Sequence, residues 1–184
     1  LTIQLLREFG TKLPTASQLM GKLQHEEADI QQELEELCSR GLAMEALPGR
    51  YIAANAVDKV WKDCQDVLGQ YHKQNPLHAG MKEAEVRQKC FKNMDQTTAD
   101  ALLRALRQEG KLRRVSERYA LADFEIKFTK RQNNIKQKLL QTYKNAGLES
   151  PATDDVMAGF PQNEKTDAKQ VLESLVTGGE LVML

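Results

Sequence analysis

A helix-to-turn signature occurs three times in this chain at a constant spacing of 69 residues. Ile30, Leu34, Leu37 and Gly41 recur as Ala99, Leu103, Leu106 and Gly110, and again as Ala168, Leu172, Leu175 and Gly179. Apolar residues at i, i+4 and i+7 fall on one stripe of a helix. The glycine after the stripe marks a helix end, because glycine enters the left-handed region without steric cost. A fixed period of this length means one supersecondary unit used repeatedly. The 184 residues are therefore expected to form three units of about 60 to 70 residues, each with a modest core of its own. Catalysis needs one site with unique chemistry, so repetition of a compact helical unit points instead to binding or to reach.

The first copy sets the pattern. Leu1 to Phe9 is a short apolar helix broken by Gly10 and Pro14; Thr15 starts a second, with Gln18 at the spacing of a capping box. His25 to Arg40 is the third helix, stopped by Gly41. The apolar period then shortens from about 3.6 to about 2. Leu42 to Glu45 and Arg50 to Ala53 flank Pro48-Gly49, which predicts strand, turn and strand. Three helices followed by a hairpin make a winged helix.

The second copy predicts helices over Asp58 to Lys73, Lys82 to Asn93 and Thr97 to Glu109, then strands Lys111 to Val115 and Arg118 to Ala122 around Ser116-Glu117. Arg50-Tyr51 and Arg118-Tyr119 occupy matching points of the two hairpins. The third predicts helices Ile126 to Asn145, Thr153 to Gly159 and Lys165 to Thr177, with Leu181 to Leu184 as a first wing strand. The fold class expected is mainly α with small β-hairpins, as tandem winged-helix (helix-turn-helix with wing) domains. They occupy residues 1–54, 55–122 and 123–184, the last truncated in its wing.

Hydrophobic content of 41% with 28% charged residues is ordinary for a globular protein. No apolar run approaches the roughly 18 residues of a membrane span, and no leader pattern opens the chain, so a cytoplasmic protein with no membrane partner is expected. Cys38, Cys64 and Cys90 are too few and scattered for a disulfide framework and are expected as reduced thiols. The net charge of zero is unevenly spread: 5 basic against 8 acidic groups in 1–54, 13 against 9 in 55–122, and 8 against 9 in 123–184. A protein that clamps nucleic acid along its whole length is basic throughout. Contact here is expected to be local.

Enzymatic readings find little support. His25, His72 and His78 belong to no arrangement with nucleophile-and-base logic, and His72 and His78 are six apart with no cysteine pair at zinc spacing. They read as surface or helix-end histidines. Asp154-Asp155 suits the positive end of a helix dipole better than a metal. Trp61, Tyr71 and Tyr143 read as packing anchors rather than base-stacking platforms. No catalytic residue and no metal site is expected on this chain.

The stretch Tyr71-His72-Lys73-Gln74-Asn75-Pro76-Leu77-His78-Ala79-Gly80-Met81, followed by Lys82, Glu83, Glu85, Val86 and Arg87, resembles the C-terminal part of the bacterial selenocysteine-specific translation elongation factors, the SelB family. The resemblance implies a fragment of a GTPase that delivers selenocysteinyl-tRNA to the ribosome. It implies a C-terminal arm of four winged helices that recognises the mRNA selenocysteine-insertion hairpin beside the UGA codon. This chain would hold the first, the second and most of the third. The family's main hairpin reader, the fourth, is not among them. No Gly-x-x-x-x-Gly-Lys-Ser/Thr loop is present, so GTP and magnesium would be cofactors of the parent protein's GTPase part, and none is expected on this chain. Messenger hairpin, selenocysteinyl-tRNA and ribosome would be partners through the parent protein, with no DNA partner, and the chain itself a monomer.

The residues agree that groove reading is not the use of this fold here. A DNA-reading winged helix presents basic or amide groups on its third helix, but the first unit offers Glu26, Glu27, Asp29, Glu33, Glu35 and Glu36. Arg104 and Arg107 are accompanied by Asp95 and Asp100, and Lys165 and Lys169 by Asp167 and Glu173. The RNA-binding candidates lie elsewhere: Lys111, Arg113, Arg114 and Arg118 crowd the second wing, and Lys127, Lys130 and Arg131 follow, with Lys136 and Lys138 beyond. The competing account is a solvated basic face that pairs with the acidic first unit. At the level of function, the alternative is a tandem winged-helix scaffold for protein–protein assembly, with the acidic first unit as docking surface.

Overall fold

The computed structural model describes residues 1–23, 26–147 and 151–181, which fall into two compact units, 1–67 with 84–112 and 68–83 with 113–184. In the first unit, helices α1 (Thr2–Phe9), α2 (Ala16–Leu23) and α3 (Glu27–Ser39) lead to the antiparallel hairpin of β1 (Ala43–Leu47) and β2 (Arg50–Ala53). Helix α4 (Ala54–Gln74) follows β2 with no intervening loop. Strand β3 (Met81–Lys82) precedes α5 (Glu83–Cys90) and α6 (Gln96–Gln108), then come β4 (Leu112–Val115) and β5 (Arg118–Leu121). The second unit ends in α7 (Lys130–Ala146), α8 (Thr153–Ala158) and α9 (Lys165–Thr177). The structure is mainly helical with small antiparallel sheets, as the sequence predicts.

The repeated stripe is core in every copy. Ile30, Leu34 and Leu37 on α3, Ala99, Leu103 and Leu106 on α6, and Ala168, Leu172 and Leu175 on α9 are all buried. Around the first stripe pack Leu6 of α1, Leu19 of α2 and Tyr51 of β2; around the third pack Ile135 and Leu139 of α7, Met157 of α8 and Phe160. Each buried leucine contributes roughly 1.5–3 kcal/mol of transfer free energy, which is why helices of 8 to 13 residues, too short to persist alone, are stable here.

The helix ends are equally alike. Gly41, Gly110 and Gly179 have φ of 73°, 77° and 76°. The next amide reaches back across each turn: Leu42 N–H donates to Leu37 at 2.9 Å, Lys111 to Leu106 at 3.0 Å and Glu180 to Leu175 at 2.9 Å. This is the Schellman arrangement, and it consumes a carbonyl that would otherwise be left unpaired at the helix end. At the start of α2, Gln18 N–H donates to Thr15 Oγ1 at 3.2 Å and Thr15 N–H to Gln18 Oε1 at 2.9 Å, completing the capping box read from sequence.

Several element boundaries need correction. The helix placed over Asp58 to Lys73 begins four residues earlier, at Ala54, because no breaker separates Ala53 from the helix-forming alanines at 54 and 56. The helix placed over Ile126 to Asn145 begins at Lys130, since Thr129 and Gln132 form a second capping box; the apolar Ile126 and Phe128 extended the period past this cap. The segment placed as a helix from Lys82 to Asn93 opens as β3, which pairs with β5 through Met81–Tyr119 and Lys82–Arg118. A two-residue strand has no periodicity of its own to be seen. The start of the third helix at His25, and residues 182–184 of the last expected wing strand, lie outside the described residues.

Candidate nucleic-acid interface

The second wing is built on a close backbone approach. A Cβ on Gly80 would stand 2.5 Å from the Tyr119 carbonyl oxygen, so only glycine lets the chain lie against β5 at this point. Arg118 Nη1 donates to the Gly80 carbonyl at 2.9 Å. The first wing repeats the arrangement: Arg50 Nε donates to Leu13 O at 2.8 Å, Tyr51 N–H donates to Pro14 O at 3.0 Å, and Thr15 bridges to Arg50. Tyr51 and Tyr119 are both buried. The Arg-Tyr pair shared by the hairpins is thus a device that ties each wing to the segment before a helix. Arg118 carries that role as well as its charge.

The other cations selected from the sequence are placed as follows. Lys111, in the first unit, sits 3.1 Å from Glu109 Oε2 and 5.6 Å above the Trp61 ring. Arg113 is exposed and donates to the Phe124 carbonyl at 2.7 Å, while Arg114 lies 3.6 Å from Glu83. On α7, Arg131 is 3.2 Å from Asp167 of α9 and donates to the Asn163 carbonyl. Lys136 lies 3.7 Å from Glu180 and over the Phe128 ring, and Lys138 over Phe160. Lys127 and Lys130 are exposed. Each exposed pair is worth about 0–1 kcal/mol, so these contacts orient the cations at little cost and a phosphate can replace the carboxylate.

The motif that carried the family resemblance is used structurally. Asn75 donates from its backbone and from its side chain to Tyr71 O, at 2.8 and 3.2 Å, closing the end of α4. Tyr71 Oη and His78 Nδ1 are 3.0 Å apart, and His78 Nε2 lies 3.6 Å from Glu173 of α9. Ala79 N–H donates to Thr177 Oγ1 at 3.2 Å. Met81 is buried in β3. This connection knits α4, the wing and α9 within the second unit, and His72 and His78 take part in that framework.

His72 is buried, stacks on Phe124 with ring centroids 3.7 Å apart, and accepts the Leu121 amide on Nε2 at 3.2 Å. An acceptor Nε2 means a neutral ring with its proton on Nδ1, which has no hydrogen-bond partner among the described residues. Burial, and then Arg113, lower its pKa below the ordinary histidine range against the opposing pull of Asp123. Protonation is therefore easier in the unfolded chain, and stability is lost as pH falls below about 6.5. The melting temperature is expected to drop between neutral and mildly acid pH, and to drop less in His72→Gln. An equal drop in both proteins, followed by circular dichroism, would exclude His72 as the cause.

On α3 the carboxylates of Glu26, Glu27, Asp29, Glu35 and Glu36 are exposed, while Glu33 accepts from Thr2 Oγ1. Phosphate is repelled from this face. Cys38, Cys64 and Cys90 are free thiols. Among the described residues no helix is long and apolar enough to cross a membrane, and no group of three or more side chains is placed to hold a metal ion.

Residues 65–118, from the last turns of α4 to the start of β5, match the family model described as "Elongation factor SelB, winged helix". The selenocysteine-specific elongation factor of Desulfomicrobium baculatum is 24% identical over 135 residues, covering 72% of this chain and 21% of the relative. The chain thus spans about a fifth of the length of the curated relative it matches. The family match covers the Tyr71–Met81 connection, Gly80, β4 and the first residue of β5. Residues 65–118 thus match a SelB winged helix, and 72% of the chain is similar to part of a selenocysteine-specific elongation factor.

Proposed function

We propose that this chain is the winged-helix arm of a selenocysteine-specific elongation factor, linking the part that binds GTP and tRNA to recognition of the messenger hairpin that recodes UGA. The observation that carries the reading is the match of 65–118 to the SelB winged helix. The acidic face of α3 supports it from the other side, because it removes groove reading as the use of the first unit. The arm acts by holding its neighbours at a set distance. It performs no catalysis; GTP and magnesium belong to another part of a longer, monomeric, cytoplasmic protein, which meets selenocysteinyl-tRNA and the ribosome. Arg113, Arg114 and Arg118 on the wing, with Lys111, Lys127, Lys130 and Arg131, supply local phosphate contacts.

The gene itself provides the first test. A P-loop GTPase encoded before Leu1 and a basic winged helix after Leu184 are expected, and their absence would sink the reading. Charge reversal at Arg113 and Arg114 in the longer protein is expected to weaken hairpin binding by on the order of tenfold, since each lost phosphate contact also lowers the salt slope by about 1. Unchanged affinity at low salt would remove the wing from the interface. The exposed carboxylates of α3 favour a second reading, docking of a basic protein surface on the first unit; co-purification of such a protein, lost on Glu35→Lys/Glu36→Lys, would support it.

A further inference from the structure

A groove of about 670 Å³ in the first unit is lined by Arg7 of α1, Lys59 of α4, Lys89 of α5 and Lys92 of the turn after it, together with the α4 carboxylates Asp63 and Asp66. The four cations are exposed. None has an ion-pair partner among the described residues, unlike Lys111, Arg114, Arg131 and Lys136, each within 4 Å of a carboxylate. Arg7, Lys59 and the Lys89/Lys92 pair come from three separate stretches of the chain, α1, α4 and the C-terminal end of α5 with the turn after it, so the fold brings together charges that repel one another. Unpaired like charges along a concave surface focus a positive potential there, which an anion relieves.

We propose that this groove binds the backbone of RNA, as a contact separate from hairpin recognition. The carboxylates select the kind of polyanion. A ligand offering only negative charge meets repulsion from Asp63 and Asp66, whereas RNA presents a ribose 2′-hydroxyl beside every phosphate. That hydroxyl is a donor, and a carboxylate accepts from it. Lys59, Lys89, Lys92 and Arg7 neutralise phosphates while Asp63 and Asp66 take 2′-hydroxyl protons in hydrogen bonds. DNA lacks that donor and leaves the carboxylates facing phosphate unpaired. The groove is therefore RNA-selective and indifferent to base sequence.

The test is fluorescence anisotropy of a labelled, unstructured oligoribonucleotide of mixed sequence with the 184-residue chain. Four neutralised phosphates give a log–log salt slope of about −3 on a single strand between about 50 and 200 mM salt. Lys59→Glu/Lys89→Glu is expected to weaken binding by at least about tenfold and to flatten the slope by about 1.4. Lys59→Gln/Lys89→Gln, a milder change in exposed positions, is expected to act in the same direction. DNA of the same sequence is expected to bind more weakly than RNA, and Asp63→Asn/Asp66→Asn to close that gap. Wild-type affinity in both lysine variants overturns the proposal. DNA bound as tightly as RNA overturns the role of the carboxylates, and no RNA binding together with binding of a labelled acidic peptide overturns the proposal and assigns the groove to a protein instead. The oligonucleotide has no hairpin, so failure here leaves the hairpin reading standing, and failure of the wing reversal above leaves the groove standing.

Discussion

Alanine at Leu34, Leu103 or Leu172 is expected to cost about 2–5 kcal/mol, the range for a buried leucine whose surroundings relax only in part. The three positions are the same position of one repeated helix, and their side chains are 0%, 1% and 6% exposed. The loss combines transfer of the missing methyl groups with the cavity left behind. Leu172 is the most exposed and the best able to admit solvent, so its replacement is expected at the low end. Because Leu34 and Leu103 belong to the first compact unit and Leu172 to the second, a single two-state transition is not assumed. Urea melts with the intrinsic fluorescence of Trp61 for the first unit, and amide exchange on α9 for the second, give separate readings. Costs below about 1 kcal/mol at all three would mean that the stripe is not the core of the repeat.

The second large effect is at Gly80. Gly80→Ala places a carbon 2.5 Å from the Tyr119 carbonyl oxygen and 2.8 Å from its carbon, both backbone atoms that cannot swing aside. The β3–β5 pairing must open or shift, along with the Arg118 bond to Gly80. The expected cost is about 1–3 kcal/mol, and more for Gly80→Val. Gly69 in α4 is the control: nothing lies within 4 Å of a Cβ there, so Gly69→Ala is expected to be neutral or stabilising by up to about 1 kcal/mol. Fast exchange of the Tyr119 and Lys82 amides in the Gly80 variant would locate the damage in the sheet. A Gly80→Ala protein as stable as the wild type would show that the close approach is not required.

Much of this protein is local in origin and was legible as such. The stripe on α3, α6 and α9, the left-handed glycine after each and the Thr15–Gln18 box depend on residues within a few positions of one another. Periodicity and steric rules over that range translate directly into a helix and its ends. The same reasoning missed Thr129–Gln132, where apolar residues ahead of the cap imitated a longer helix. It also missed β3, whose two residues become a strand only because β5, 36 residues further on by the Lys82–Arg118 pairing, lies beside them.

The candidate interface was legible as chemistry and not as geometry. A run such as Lys111, Arg113, Arg114 and Arg118 announces positive charge, but whether each cation faces Glu109, Glu83 or the Gly80 carbonyl depends on folding. Arg7, Lys59, Lys89 and Lys92 form no single run in the sequence, yet they share one groove. The motif Tyr71 to Met81, which resembles the SelB family, consists of residues whose task is to join α4, the wing and α9.

By itself the sequence determined the three copies of the helix-to-turn signature, the helical cores, the turns that end them and the acidic face of the first third helix, because each follows from short-range sterics, period and charge. The third strand of the second sheet, the partners of the basic residues and the groove in the first unit were decided only by the tertiary structure. Those features are contacts between residues far apart in the chain, and no local preference encodes which of many possible partners a side chain meets.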